Sequence, residues 1–305
     1  MKWNRFLKGA AIAGVLITTL LVKNTGIALA SSGDNDSINE KYGPPVVVYG
    51  AQLSTEQKDE VRKLLDITDP SQVREITATG QDLVNYIKGD AHANMYSSAK
   101  ITRDDSGEGI VVNIVTPENI TEVTKEMYAN ALLTAGVKDA EVDVASPIKV
   151  SGHSALVGIY KAYDTGKGTN LNKDRTEVAS EELSLATNLA KKDGMDSDKV
   201  SQLLTEIKQE IAAQHPATKE DIANIVDEKL KTLNISLSDK DRQLLIDLFD
   251  KMRHLNINFD NVQSQLDHLA QDVKQKVENA VDQGFFQKVA DFFQKLIDAI
   301  KSIFS

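Results

Sequence analysis

The chain has 305 residues, 35 basic and 45 acidic, 5% aromatic, and no cysteine. A hydrophobic share of 41% is enough for a buried core and excludes general disorder. The missing cysteines exclude a disulfide framework and a thiol nucleophile, and the net charge of −10 argues against nucleic acid as a partner.

Residues 1–30 are expected to be a signal peptide. Lys2, Arg5 and Lys8 form a basic n-region, residues 9–22 an uncharged apolar run, and Ala28-Leu29-Ala30 a small-x-small cleavage site. A membrane-spanning helix needs about 20 apolar residues, more than this run holds before Lys23. Loss of the four basic residues of this segment leaves 31 basic against 45 acidic residues. Residues 31–44 are polar and read as a flexible linker.

Residues 45–165 mix two periodicities. Val46–Tyr49 and Val73–Thr77 read as strands. Ser54 with Gln57 three residues on predicts a capped helix to about Leu65. Gly80–Lys88 predicts a short helix. Met95–Arg103 and Ile110–Thr116 read as a hairpin about the turn Asp104–Gly109. Thr116 and Pro117 predict a helix start, with Ile120, Val123, Met127 and Ala131 as its apolar stripe and Gly136 as its stop. Glu141–Ala145 alternates as a strand, and an apolar helix capped by Ser151 follows. Strands alternating with helices predict a mixed sheet with helices packed on it.

Residues 163–175 are linker-like, and everything from 174 to 305 reads as helix. Leu245, Leu248, Met252, Leu255, Phe259, Val262, Leu266, Leu269 and Val273 are spaced alternately by three and four, a heptad seam. Unbroken from Ser238 to Gln283, such a helix would be about 70 Å long, with Asn256 and Asn258 able to loosen it. The seam fails at Lys276. A second stripe, Phe286, Val289, Phe293, Leu296, Ile300 and Ile303, runs to the C-terminus and is the candidate surface for a partner or a membrane. The expected fold class is therefore α+β: a mixed α/β sheet domain, then an all-α, coiled-coil-like bundle.

Sites for chemistry are sparse. His92, His153, His215, His254 and His268 form no His-x3-His or His-Glu-x2-His pair. Gly166–Thr169 lacks the phosphate-loop spacing, and Ser151-Gly152-His153-Ser154 is not a nucleophile elbow. No catalytic residue is identified, and no cofactor, metal or nucleic acid is expected.

The segments Gly109–Gly136 and Ala145–Tyr163, with Thr116-Pro117-Glu118-Asn119-Ile120-Thr121 followed by Ser151-Gly152-His153-Ser154-Ala155-Leu156, resemble the YpuA-like family of predicted secreted proteins of Gram-positive bacteria, as does the opening Gly50–Gln57. The resemblance covers residues 45–165 best. It implies an exported, envelope-associated protein and carries over no catalytic or binding residue. The function expected is a non-enzymatic interaction or structural module, secreted and associated with the cell envelope. Its partners would be another protein, a second copy through the helical region, a membrane surface or the cell wall. The alternatives are a cell-wall polymer hydrolase with its site in the α/β domain and a membrane-surface binder working through the terminal stripe.

Overall fold

A computed structural model describes residues 41–165, 170–255, 257 and 264–277. Residues 1–30, expected as a signal peptide, and the stripe from Phe286 to Ile303 lie outside the described residues.

Five strands, β1 (Val46–Gly50), β2 (Arg74–Ala78), β3 (Ser98–Arg103), β4 (Ile110–Ile114) and β5 (Ala140–Ala145), form one mixed sheet in the order β2-β1-β3-β5-β4. β1 pairs parallel with β2 and antiparallel with β3; β5 pairs antiparallel with β3 and parallel with β4. The hairpin expected from β3 and β4 is therefore absent, because β5 lies between them. Asp139 accounts for it: Asp104 N–H donates to its carbonyl, and Gly107 and Gly109 N–H donate to its carboxylate at 2.9 and 3.0 Å. The turn is thus tied to the start of β5, whose Ala140, Val142 and Val144 are fully buried at the sheet's centre.

The helices are α1 (Thr55–Leu64), α2 (Gly80–Ile87), α3 (Lys125–Ala135), α4 (His153–Thr165), α5 (Lys173–Ala190), α6 (Ser197–Gln214), α7 (Lys219–Thr232), α8 (Asp239–His254), and α9, helical over 264–277. Alternation sorts β1 between two layers. Val46 and Val48 join the larger core with Met127, Leu132, Leu156 and Ile159 of α3 and α4. Val47 and Tyr49 face α1 through Val61, with Leu65 just beyond the helix. The capping box on α1 forms as its sequence predicts: Gln57 N–H donates to Ser54 Oγ, and Ser54 N–H donates to Gln57 Oε1.

Two helix starts differ from expectation. Thr116-Pro117 opens a turn, and α3 begins only after Thr124, whose hydroxyl accepts from Met127 N–H. The intervening backbone is committed to Val150, which receives Thr121 N–H and donates to the Asn119 carbonyl, so it cannot close helical bonds. α4 begins at His153, so Gly152 rather than Ser151 precedes it; Gly152 has φ +102°.

The long unbroken helix is also corrected. α8 closes at His254, where Leu255 N–H returns to the Lys251 carbonyl and Ile257 N–H to that of Met252. α8 thus ends just before Asn256 in the sequence. Leu245, Leu248 and Met252 of the seam are buried in the core, and so are Leu266 and Val273 of α9. Phe259 and Val262 lie outside the described residues. One continuous core runs from Val46 of the sheet through α3 and α4 to Leu266.

Candidate functional site

α5 has a buried face, Val178, Ala179, Leu183, Ala186 and Leu189, and an outer face carrying Glu177, Glu181, Ser184 and Asn188. The outer face forms one wall of a groove of about 870 Å³ that the end of α2, the start of α7 and the length of α8 complete. Ile87, Leu185, Leu244 and Leu248 give it an apolar lining. Charge is arranged in pairs across helices. Lys88 Nζ is 2.6 Å from Glu177 Oε2, Lys251 Nζ 2.6 Å from Glu181 Oε2, and Lys219 Nζ 2.6 Å from Asp247 Oδ1. Lys219 holds the Asp247 carboxyl below its ordinary range, and Glu177 holds the Lys88 ammonium above its own. A smaller hollow of about 280 Å³ shares Glu177, Glu181, Asp250 and Lys251 with this groove and ends at His254.

Chemically this is a surface for a ligand bearing both signs of charge. Each ammonium holds a carboxylate that a ligand's own amine or carboxylate can replace at little cost, because exposed ion pairs contribute about 0–1 kcal/mol. Composition alone did not reveal the groove, since its residues come from four separate helices.

Two other polar constellations stand out. Between α3, α5 and α6, Lys208 Nζ lies 2.5 Å from Glu182 Oε1, with both side chains shut off from solvent. The same ammonium donates to the Asn130 carbonyl at 2.8 Å, and Thr134 Oγ1 donates to Glu182 Oε2 at 2.6 Å. Burial pushes the Lys208 ammonium down from its usual value, against the pull of Glu182. This network is closed to solvent.

The second constellation centres on Glu126, in the first turn of α3 and 2% exposed. It faces a cavity of about 130 Å³ that Ile110–Asn113 of β4 and Leu269 and Asp272 of α9 also line. Neither carboxylate oxygen has a hydrogen-bond partner of ordinary geometry. Its countercharges are Lys276 Nζ, 2.5 Å from Oε1, and Lys125 Nζ at 3.8 Å. Lys276, the position where the heptad seam fails, is thus the residue that neutralises a buried acid.

The histidines stay apart. His153 Nε2 lies 3.1 Å from Thr187 Oγ1, His254 Nδ1 2.8 Å from the Asp250 carbonyl, and His215 takes the left-handed position ending α6. Among the described residues no cluster of three or more His, Asp or Glu could hold a metal ion, and no helix is long and apolar enough to cross a membrane.

Comparison with known proteins places the chain. The family described as "Protein of unknown function (DUF1002)" matches residues 49–269, spanning the sheet, the groove and the start of α9. The chain belongs to this family. The protein named "Uncharacterized protein YpuA" of Bacillus subtilis (strain 168) is 34% identical over 302 residues, 97% of this chain and 98% of the relative. No solved structure matches the chain. The family thus spans both the sheet and the helical half, beyond the region where the resemblance of motifs is densest.

Proposed function

We propose that the protein is exported and acts at the cell envelope as a binding module. Export is supported by the basic, apolar and small-x-small order of residues 1–30. Binding is supported by the groove along α5, where apolar lining and three cross-helix ion pairs face one concavity. A cell-wall polymer that carries amino and carboxyl groups on a sugar backbone meets that surface with both charges matched.

The test incubates the purified protein with Gram-positive cell-wall sacculi. Co-sedimentation with the wall, without release of soluble fragments, is the expected result. A Lys88→Glu/Lys219→Glu variant should sediment several-fold less, because both rails of the groove then repel carboxylates. Soluble fragments appearing with time would overturn the reading in favour of a hydrolase. Protein remaining in the supernatant would remove the wall as its ligand.

A further inference from the structure

Among the described residues β4 has a strand neighbour on one side only. Val115 N–H donates to the Val144 carbonyl at 2.8 Å, and the Gly109 carbonyl accepts from Ala140 N–H at 2.8 Å. Odd-numbered residues therefore direct their backbone groups at β5. By alternation Ile110, Val112 and Ile114 direct theirs at the open edge. An edge of this kind is a template for another strand unless something covers it.

α9 comes close to this edge: Leu269 and Asp272 line one cavity with Ile110–Asn113, and Leu266 and Val273 are fully buried. Yet the contact is polar and incompletely matched beneath. The 130 Å³ cavity remains between helix and strand; Gln265 Oε1 and Glu126 Oε2 are buried without a hydrogen-bond partner, while Glu126 Oε1 has only the Lys276 and Lys125 ammonium groups near it. A helix cannot bond a strand edge along its length, since its own backbone groups are already used. Asp198 and Asp272 add negative charge near Glu126; burial pushes the Asp198 carboxyl up, with Lys276 opposing and Glu126 reinforcing. A buried acid at an unpaired edge, neutralised by one lysine from the covering helix, is a recognition element for a cation.

We propose that the outer edge of β4 docks an extended peptide carrying a basic side chain, and that α9 is the internal strap covering this edge, with the Lys276 ammonium occupying the place of the partner's cation on Glu126. The peptide would add a sixth strand through the outward groups of Ile110, Val112 and Ile114 and set its Lys or Arg against Glu126. This surface is separate from the groove along α5 and stands without it.

The experiment uses the full chain and a fluorescent nine-residue probe of alternating Thr and Val with a central Lys, beside the same probe with a central Glu. Lys276→Ala removes the nearer countercharge of Glu126, leaving Lys125 at 3.8 Å, and should bind the lysine probe about tenfold more tightly than the unaltered protein, because the internal competitor from α9 is gone. Adding Glu126→Gln to that variant should weaken binding by about 30-fold or more, the lower range for truncating one partner of a buried charge pair. The glutamate probe should not bind. Amide exchange should then show residues 110–115 gaining protection and 264–277 losing it. Equal binding of both probes, no binding by Lys276→Ala, or unchanged exchange at 110–115 would each overturn the proposal. Should Lys276→Ala fail to fold, exchange in the unaltered protein decides: the strap requires 264–277 to open at least about tenfold faster than α5, and equal protection sinks it.

Discussion

The Lys208 ammonium stands 2.5 Å from Glu182 in the interior of the helical layer, and neither side chain reaches water. Lys208 lies one turn beyond Thr205 and two beyond Ser201, so a polar row accompanies the apolar stripe of α6 into the core. Lys208→Ala strands a buried carboxylate and should cost about 3–5 kcal/mol of unfolding free energy. Replacing both partners, Lys208→Met with Glu182→Leu, should leave stability unchanged or raise it by about 1–4 kcal/mol, since the Thr134 hydroxyl can still donate to the Asn130 carbonyl at 3.2 Å and the Asn130 amide to Thr205 Oγ1 at 3.0 Å. Urea titration of the three proteins gives the comparison. A single variant as stable as the parent would mean that the pair carries no net burden.

The second prediction concerns pH. Burial, with Lys191 adding to it and Glu122 opposing, holds the His153 imidazole below its ordinary value. A depressed imidazole favours the neutral folded form, so the unfolded chain binds the extra proton. The contribution is complete above the unfolded value of about 6.5 and is lost as pH falls through that value toward the folded one. Denaturation midpoints should decline from pH 7.5 to pH 5, and His153→Gln should flatten that segment of the profile. A slope unaltered by the substitution would assign it to other groups.

At lower pH a carboxylate takes over. Glu75 receives Arg62 Nε and Nη2 at 2.8 and 2.7 Å and the Tyr49 hydroxyl at 2.8 Å. Arg62 foremost, then Tyr49, hold its carboxyl below the usual range, against a burial effect that raises it. The stabilisation is present above the unfolded value of about 4.3 and disappears as pH falls through the folded one. Glu75→Gln should therefore lower stability at neutral pH and reduce the acid-side slope, both read from melting curves between pH 3 and pH 7.

Gly152 admits no side chain. Its φ is +102°, and a Cβ there would stand 2.8 Å from both Ile120 Cγ2 and the Tyr128 hydroxyl oxygen. That hydroxyl donates to the Gly152 carbonyl at 2.5 Å, so it cannot retreat without losing the bond. Gly152→Ala should cost about 2–4 kcal/mol, combining backbone strain with overpacking. A thermal midpoint within 2 °C of the parent would contradict this.

The anchor just before β5 yields a further substitution. Asp139→Ala removes the acceptor of two backbone N–H groups and leaves alanine at φ +44°. A loss of about 2–3 kcal/mol is expected, with faster amide exchange concentrated in 104–109. Asp139→Asn keeps an acceptor and tolerates the conformation, so it should recover most of the loss.

Local signals proved sound where the physics is local. Ser54 and Gln57 specify the start of α1, Gly136 its role as the stop of α3, and the alternation of Val142 and Val144 the strand β5. They failed where a distant segment competes. Asp104–Gly109 has the composition of a hairpin turn, yet nothing near it announces that residues 140–145 slide between the two strands. Pro117 suits a helix start, but Val150 claims the adjoining backbone. Lys276 spoils a heptad because it answers Glu126, about 150 positions upstream, a pairing that no periodicity carries. The groove was equally hidden: Glu177, Glu181, Lys219 and Lys251 read as ordinary solvated charges until four helices bring them to one concavity.

The position of β5 has a consequence for how the molecule comes into being. A ribosome delivers Ile110–Ile114 with no partner to lie beside, and its proper neighbour follows only after roughly 30 more residues have been made. Through that interval a β-branched ribbon waits uncovered, and no local turn can rescue it. Closure is then a single insertion event, one late strand wedged between two early ones, and the nascent chain is at greatest risk of sticking to its neighbours just before that wedge arrives.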